Sequence, residues 1–135
     1  VAAQTDPEAF YAKLGIALVQ EKRAFDYSFV AKSTAPGRGW VGVGFHVYAP
    51  KSYTTKGYGA GDSICVWLSR DPVHNKTDVT RLQIYRSTDD WDMELLAEVP
   101  VPESIFDANR FDIHLDPVQG TVSVSLNGAE RLTAP

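Results

Sequence analysis

The residues best able to do chemistry lie at alternating positions of three predicted strands, 39–48, 63–69 and 80–86. Side chains alternate between the two faces of a strand, so one face of each strand is aliphatic or Phe and the other is not. The second faces collect aromatic rings and polar groups: Trp40, His46, Tyr48, Trp67, Arg81, Gln83 and Tyr85. Rings stack on the apolar C–H patches of sugars, and planar polar groups hydrogen-bond sugar hydroxyls. This face is therefore suited to carbohydrate.

Two further segments extend the predicted binding face. The connection 49–62 carries Tyr53 and Tyr58 among glycines, and a long loop of this composition beside such a face is typical of a binding loop. Asp92 and Glu94 alternate on a following strand, where they would hydrogen-bond sugar hydroxyls. We therefore expect both segments to contact ligand.

A different interpretation of the same rings stays open. Trp40 and Trp67 would extend the core if loops covered them, and the 49–62 segment would then be a plain connection. Exposed aromatic and Arg side chains are also typical of protein interfaces. The alternative function is therefore a structural or adhesion domain that uses this face for protein–protein contact.

Length and composition narrow the class of protein. A chain of 135 residues is long enough for one domain with a sizeable core, and residues 1–135 are predicted to form it. The net charge is −4 without a Lys/Arg cluster, which argues against nucleic acid as a partner. No run of about 18 apolar residues is present that would span a membrane. Cys65, the single cysteine, is predicted to be a small buried or half-buried residue in its strand.

The sequence predicts no cofactor. The three His residues are too scattered for zinc, and the loop acids have no spacing that forms a metal cage, although a structural Ca²⁺ stays open. These loop acids are Asp62, Asp71, Asp78 and Asp107. The small residues at the start, Val1 to Ala3, resemble the remnant of a signal cleavage site. We therefore expect an extracellular or cell-surface protein, either secreted or one domain of a larger chain.

The pattern of elements predicts an all-β fold. A short helix is predicted at 7–13 and a single helical turn at 103–108, and the rest reads as about nine short strands separated by turns. The strands outside the central three are 15–20, 24–32, 92–99, 110–116, 121–127 and 129–133. Consecutive strands usually pair, so 39–99 should form most of one sheet of an antiparallel β-sandwich or jelly roll with two sheets.

Alternation also predicts the faces of the 92–99 strand. Met93, Leu95, Ala97 and Val99 should face inward. Asn127-Gly128 is the strongest two-residue hairpin signal in the chain.

Five segments in this order resemble the concanavalin A-like lectin and glucanase superfamily in its laminin-G-like form. The segments are FDYSFVA (25–31), GWVGVGFHV (39–47), RLQIYR (81–86), RFDIHL (110–115) and TVSVSLNG (121–128). The resemblance covers about residues 15–133. It implies a concanavalin-like jelly roll that is a lectin-like carbohydrate-binding module, an adhesion domain or a glycosidase. Relatives usually continue past the Asn-Gly hairpin, so the N-terminal segment or a partner is expected to fill that place.

The glycosidase alternative rests on Asp90, Asp92 and Glu94. Their alternation is similar to the motif of retaining glucanases, in which two glutamates four positions apart act as nucleophile and general acid. Asp90 stands where those enzymes have Glu, and this chain is much shorter. The prediction is therefore a non-catalytic module that binds polysaccharide or oligosaccharide, with a small glycoside hydrolase as the third alternative.

Overall fold

The computed structural model describes residues 23–34, 41–48, 63–89 and 91–135, which form eight strands and one short helix. The elements are β1 (Phe25–Ala31), β2 (Val41–Tyr48), β3 (Ser63–Arg70), α1 (Pro72–Asn75), β4 (Thr80–Ser87), β5 (Met93–Val101), β6 (Asn109–Asp116), β7 (Thr121–Leu126) and β8 (Ala129–Ala134). The predicted all-β fold is confirmed. The helix predicted at 7–13 and the strand predicted at 15–20 lie outside the described residues.

The strands form two antiparallel sheets of four. One sheet has the order β1-β6-β7-β8, and the other has the order β2-β3-β4-β5. The second sheet is the meander that the sequence predicts for 39–99. The β7–β8 hairpin turns at Asn127 and Gly128, whose positive φ angles of 52° and 84° are those that a two-residue hairpin turn requires.

The core lies between the two sheets. Phe29 of β1, Phe45 of β2 and Phe111 of β6 form an aromatic cluster, with the rings of Phe29 and Phe45 4.0 Å apart and those of Phe29 and Phe111 5.2 Å apart. Buried aliphatic side chains surround it: Val41, Val66, Leu68, Leu82, Ile84, Val101, Ile105, Ile113, Leu115, Val122, Val124 and Leu126. β8 also contacts β5 and β4 of the opposite sheet.

The helical content differs from the prediction. Residues 103–108 form a turn, with Asp107 N donating to Ser104 O at 3.1 Å, and no helix forms there. The helix lies instead at Pro72–Asn75, where Asp71 precedes a proline and its carboxylate accepts from His74 N at 3.2 Å. An Asp cap followed by Pro is a helix-start signal, but four residues are too few to show helical periodicity.

A β-bulge in β5 overturns part of the predicted alternation. Ile84 pairs with Ala97 but Tyr85 pairs with Leu95, so Leu96 is an extra residue without a partner on β4. Ala97 and Val99 pack on the core as predicted. The prediction that Leu95 faces inward is wrong: Leu95 lies beside Tyr85 and is 46% exposed. Met93, opposite Ser87 and two residues from Leu95, shares the outer face with it.

None of the helices in the described segments has the length and apolar character to cross a membrane.

Candidate aromatic site on the outer face of the β2–β5 sheet

Trp67 lies at the centre of the outer face of the β2–β5 sheet, on β3. Its partner on β2 is Gly44, and a Cβ atom there would lie 3.2 Å from the Cδ2 and Cε2 atoms of the indole. Such a contact is tighter than ordinary van der Waals packing, so glycine is what lets the ring lie against the β2 backbone. Trp67 therefore fills the space beside Gly44.

Tyr85 packs against Trp67 from β4. The ring centroids are 6.2 Å apart and the planes are inclined by 73°, an edge-to-face contact. Both side chains keep part of their surface in solvent. Burial raises the pKa of the Tyr85 phenol, with smaller contributions from Glu98 and Cys65. The hydroxyl therefore stays protonated in neutral solution and can donate a hydrogen bond.

A row of polar groups runs beside the rings across β3, β4 and β5. Ser69 Oγ donates to Gln83 Oε1 at 3.0 Å, and Gln83 Nε2 donates to Glu98 Oε2 at 2.6 Å. Arg81 Nη1 donates to Glu98 Oε1 at 2.8 Å. The Gln83 amide and the Arg81 guanidinium are thus both oriented by one carboxylate. Groups held in this way need little reordering when a ligand arrives.

The rest of the face is less open than the sequence suggests. Cys65 is 1% exposed and is buried as predicted, and Ser63 beside it is 2% exposed. His46 Nδ1 lies 2.9 Å from Ser63 Oγ, which joins β2 to β3 at this end. The surface available to a ligand therefore centres on Trp67 and its neighbours on β4 and β5.

The structure brings together five of the predicted site residues. His46, Trp67, Arg81, Gln83 and Tyr85 share the outer face of this sheet. Trp40, Tyr53 and Tyr58, and the side chain of Tyr48, lie outside the described residues. The backbone of Tyr48 pairs with Ile64 after a register shift in β2.

The placement of Glu94 on this face is wrong. Glu94 pairs with Arg86, and both alternate to the side opposite Tyr85 because the Leu96 bulge shifts the register. Asp92 precedes β5 and lies in a turn in which Asp89 Oδ1 accepts from the Trp91 and Asp92 amides, each at 2.6 Å. Neither acid extends the row of polar groups.

Glu98 is the functional candidate that sequence reasoning missed. It lies opposite Gln83 and accepts hydrogen bonds from two site residues. A signal for it exists in the sequence, since Ala97 and Val99 on either side of it are predicted to face inward. Alternation therefore already places Glu98 on the outer face, and the Leu96 bulge changes the faces only of the residues before it.

Two of the loop acids considered for Ca²⁺ already have protein partners. Asp71 caps α1, and Asp78 pairs with Arg70. Within the described segments, no group of three or more His, Cys, Asp or Glu side chains is arranged to hold a metal ion.

No protein-family model, curated protein or solved structure matches the chain.

Proposed function

We propose that this chain is a non-catalytic carbohydrate-binding domain of the concanavalin-like kind, and that the outer face of the β2–β5 sheet holds the glycan. The observation that carries the proposal is one cross-strand row. Trp67, Gln83 and Glu98 lie directly opposite one another on β3, β4 and β5, which places an aromatic ring beside an amide and a carboxylate. Opposed side chains on neighbouring strands lie about 5 Å apart.

The binding mechanism follows from these three groups and their neighbours. The C–H face of a sugar ring stacks on the exposed part of Trp67, and Tyr85 supports the indole from the side. Sugar hydroxyls donate to Glu98 and accept from Arg81 and the Tyr85 hydroxyl. A shallow face buries little ligand, so we expect weak affinity per site and a preference for polysaccharide over free monosaccharide. The proposed setting is the cell exterior.

The proposal contains no catalytic step. Retaining hydrolysis uses two carboxyl groups about 5 Å apart. Among the described strand residues of this face, Glu98 is the one carboxylate, because Glu94 lies on the other side of β5. This supports binding over hydrolysis. Reducing-sugar release from a polysaccharide would identify a glycosidase instead.

The experiment is affinity electrophoresis against a panel of soluble polysaccharides. Wild type should be retarded by at least one polysaccharide, Trp67→Ala should lose the retardation, and Trp91→Ala should keep it. Trp91 is the matched control because its side chain is 61% exposed and lies in the β4–β5 turn. A Trp67→Ala chain that fails to fold leaves Glu98→Gln as the second test variant. Equal retardation of Glu98→Gln and wild type would contradict the proposal.

One observation favours protein contact as the second candidate function. Leu95 is 46% exposed beside Tyr85, on a strand at the edge of its sheet. Edge strands and exposed apolar side chains are features that interfaces use. If this function is correct, light scattering shows an oligomer that Leu95→Lys dissociates. A monomer at all concentrations would contradict it.

A further inference from the structure

The β1-β6-β7-β8 sheet carries a depression on its own outer face, on a different sheet from the aromatic site. Its volume is about 360 Å³, near the lower end of the range for small-molecule sites, about 300–1,000 Å³. The side chains lining it come from β1, β6 and β7: Asp26, Ser28, Asp112, His114, Ser123 and Ser125. Tyr27 and Ile113 also line it but pack on the core. The outward-facing lining is therefore polar and has no Trp, Tyr or Phe ring for stacking.

Strand register explains why these side chains meet. Asp26, His114 and Ser123 are opposite one another on β1, β6 and β7, and Ser28, Asp112 and Ser125 form the next row on the same face. The two rows are two residues apart along each strand, so their side chains lie on the same face and point to solvent. The two rows together make a patch of six side chains across three neighbouring strands.

One oxygen of Asp112 is fully engaged and the other is not. Oδ1 accepts from the Ser28 hydroxyl and from Arg110 Nη2 at 2.9 Å. The hydrogen bond from Ser28 lowers the pKa of Asp112 most, and Arg110 lowers it further. The carboxylate therefore stays ionised. Oδ2 has no hydrogen-bond partner among the described residues. It is a charged acceptor available to a ligand.

Three further groups in the depression have hydrogen-bonding capacity to spare. His114 Nδ1 lies 2.7 Å from Asp26 Oδ1, which leaves Nε2 for another partner. The hydroxyls of Ser123 and Ser125 bond no protein group within the part of the chain that the structure describes. A hydroxyl both donates and accepts, so the depression offers a mixed set of groups and not acceptors alone.

We propose that this depression binds a single hydroxyl-rich ring, a monosaccharide or a terminal sugar, through hydrogen bonds and without aromatic stacking. Vicinal hydroxyls of the ligand would donate to Asp112 Oδ2 and exchange hydrogen bonds with Ser123 and Ser125. His114 Nε2 would accept a third hydroxyl, its tautomer fixed by Asp26. The proposal does not depend on glycan binding at the aromatic site, because no side chain is shared between the two.

The test is a chemical-shift titration of the ¹⁵N-labelled chain with a panel of neutral monosaccharides, and with ethylammonium as a cationic probe. At least one monosaccharide should shift the amides of Ser123 and Ser125 saturably. About 1 M NaCl, which reduces the Debye length to about 3 Å, should leave that response unchanged. Ser125→Ala should weaken the affinity about fivefold, the equivalent of one neutral hydrogen bond. Thr133→Ala, on the same face but outside the depression, should have no effect.

Three results would overturn the proposal. The first is that no monosaccharide shifts these amides at its solubility limit, and the second is that ethylammonium shifts them when no sugar does. The third is that Ser125→Ala binds the sugar as tightly as wild type and the Thr133→Ala control do. Repeating the titration with Trp67→Ala separates the two sites. A response retained in that variant belongs to the depression, and retardation by polysaccharide that survives Ser125→Ala belongs to the aromatic face.

Discussion

The outer faces of the two sheets differ in how their polar side chains find partners. On the β2–β5 face, Gln83, Glu98 and Arg81 bond one another beside two aromatic rings. On the face of β1, β6 and β7, Ser123 and Ser125 have hydroxyls without a described partner, and the outward-facing side chains beside them include no Trp, Tyr or Phe. One face is preorganised by its own contacts, and the other offers unused hydrogen-bonding capacity.

This difference separates two ways of binding sugar. Ring stacking gains free energy from apolar area and tolerates many sugars, while a hydrogen-bonded depression selects the arrangement of hydroxyls. The aromatic face is therefore expected to bind extended chains, and the depression to bind single rings.

The largest expected effect is that of Glu98→Gln on glycan binding at the aromatic face. Hydrogen bonds to a charged group contribute about 1.5–3 kcal/mol, so polysaccharide affinity should fall roughly tenfold to a hundredfold. Isothermal titration with the best polysaccharide of the panel measures it. Glu94→Gln is the matched control, since Glu94 is on the same strand but across the bulge. Larger loss in Glu94→Gln than in Glu98→Gln would mean that the face is assigned wrongly.

Gly44→Ala tests whether the Trp67 ring depends on its glycine neighbour. The new methyl group would meet the indole at 3.2 Å, so the ring must move outward. Overpacking of this kind costs about 1–2 kcal/mol, which urea unfolding measures as a lower midpoint. In a Trp67→Ala background the same substitution should cost much less, because the clash is gone. Equal costs in the two backgrounds would show that Trp67 does not lie on Gly44.

The smallest expected effect concerns Asp112 and acid. Its folded pKa is lowered by Ser28 and Arg110, so its contribution to stability is complete above the ordinary Asp pKa of about 3.9. That contribution is lost as the pH falls through the lower folded pKa. Asp112→Asn should therefore be slightly less stable than wild type near pH 7 and equal to it in strong acid. Denaturant midpoints at both pH values check this, and a deficit that grows on acidification would contradict it.

Much of the fold follows from alternation within the chain. Strands such as Asn109–Asp116 and Thr121–Leu126 match their predicted bounds to within a residue or so, because each alternates between buried and exposed positions and ends at a turn. The sequence likewise predicts the turn at Asn127-Gly128. Local patterns of this kind depend only on neighbouring residues, which a sequence displays directly.

The site was predicted less completely because part of it depends on a β-bulge and on long-range strand pairing, which alternation does not show. One inserted residue, Leu96, moves Leu95 onto the outer face and Glu94 off it. Glu98 lies beyond the bulge and keeps the outward position that alternation gives it. The depression depends on β1 pairing with β6, which brings Asp26 to His114 across 88 positions of sequence, and strand patterns do not specify such long-range pairing.

The most direct test of the central claim uses Trp67 as the only indole. A variant with Trp40→Phe and Trp91→Phe retains this single tryptophan, and its emission is followed during titration with the polysaccharide that retards wild type. The account predicts a saturable change in emission whose midpoint agrees with the calorimetric affinity. Binding that leaves the Trp67 emission unchanged, or a wild-type chain that no polysaccharide retards, would contradict it.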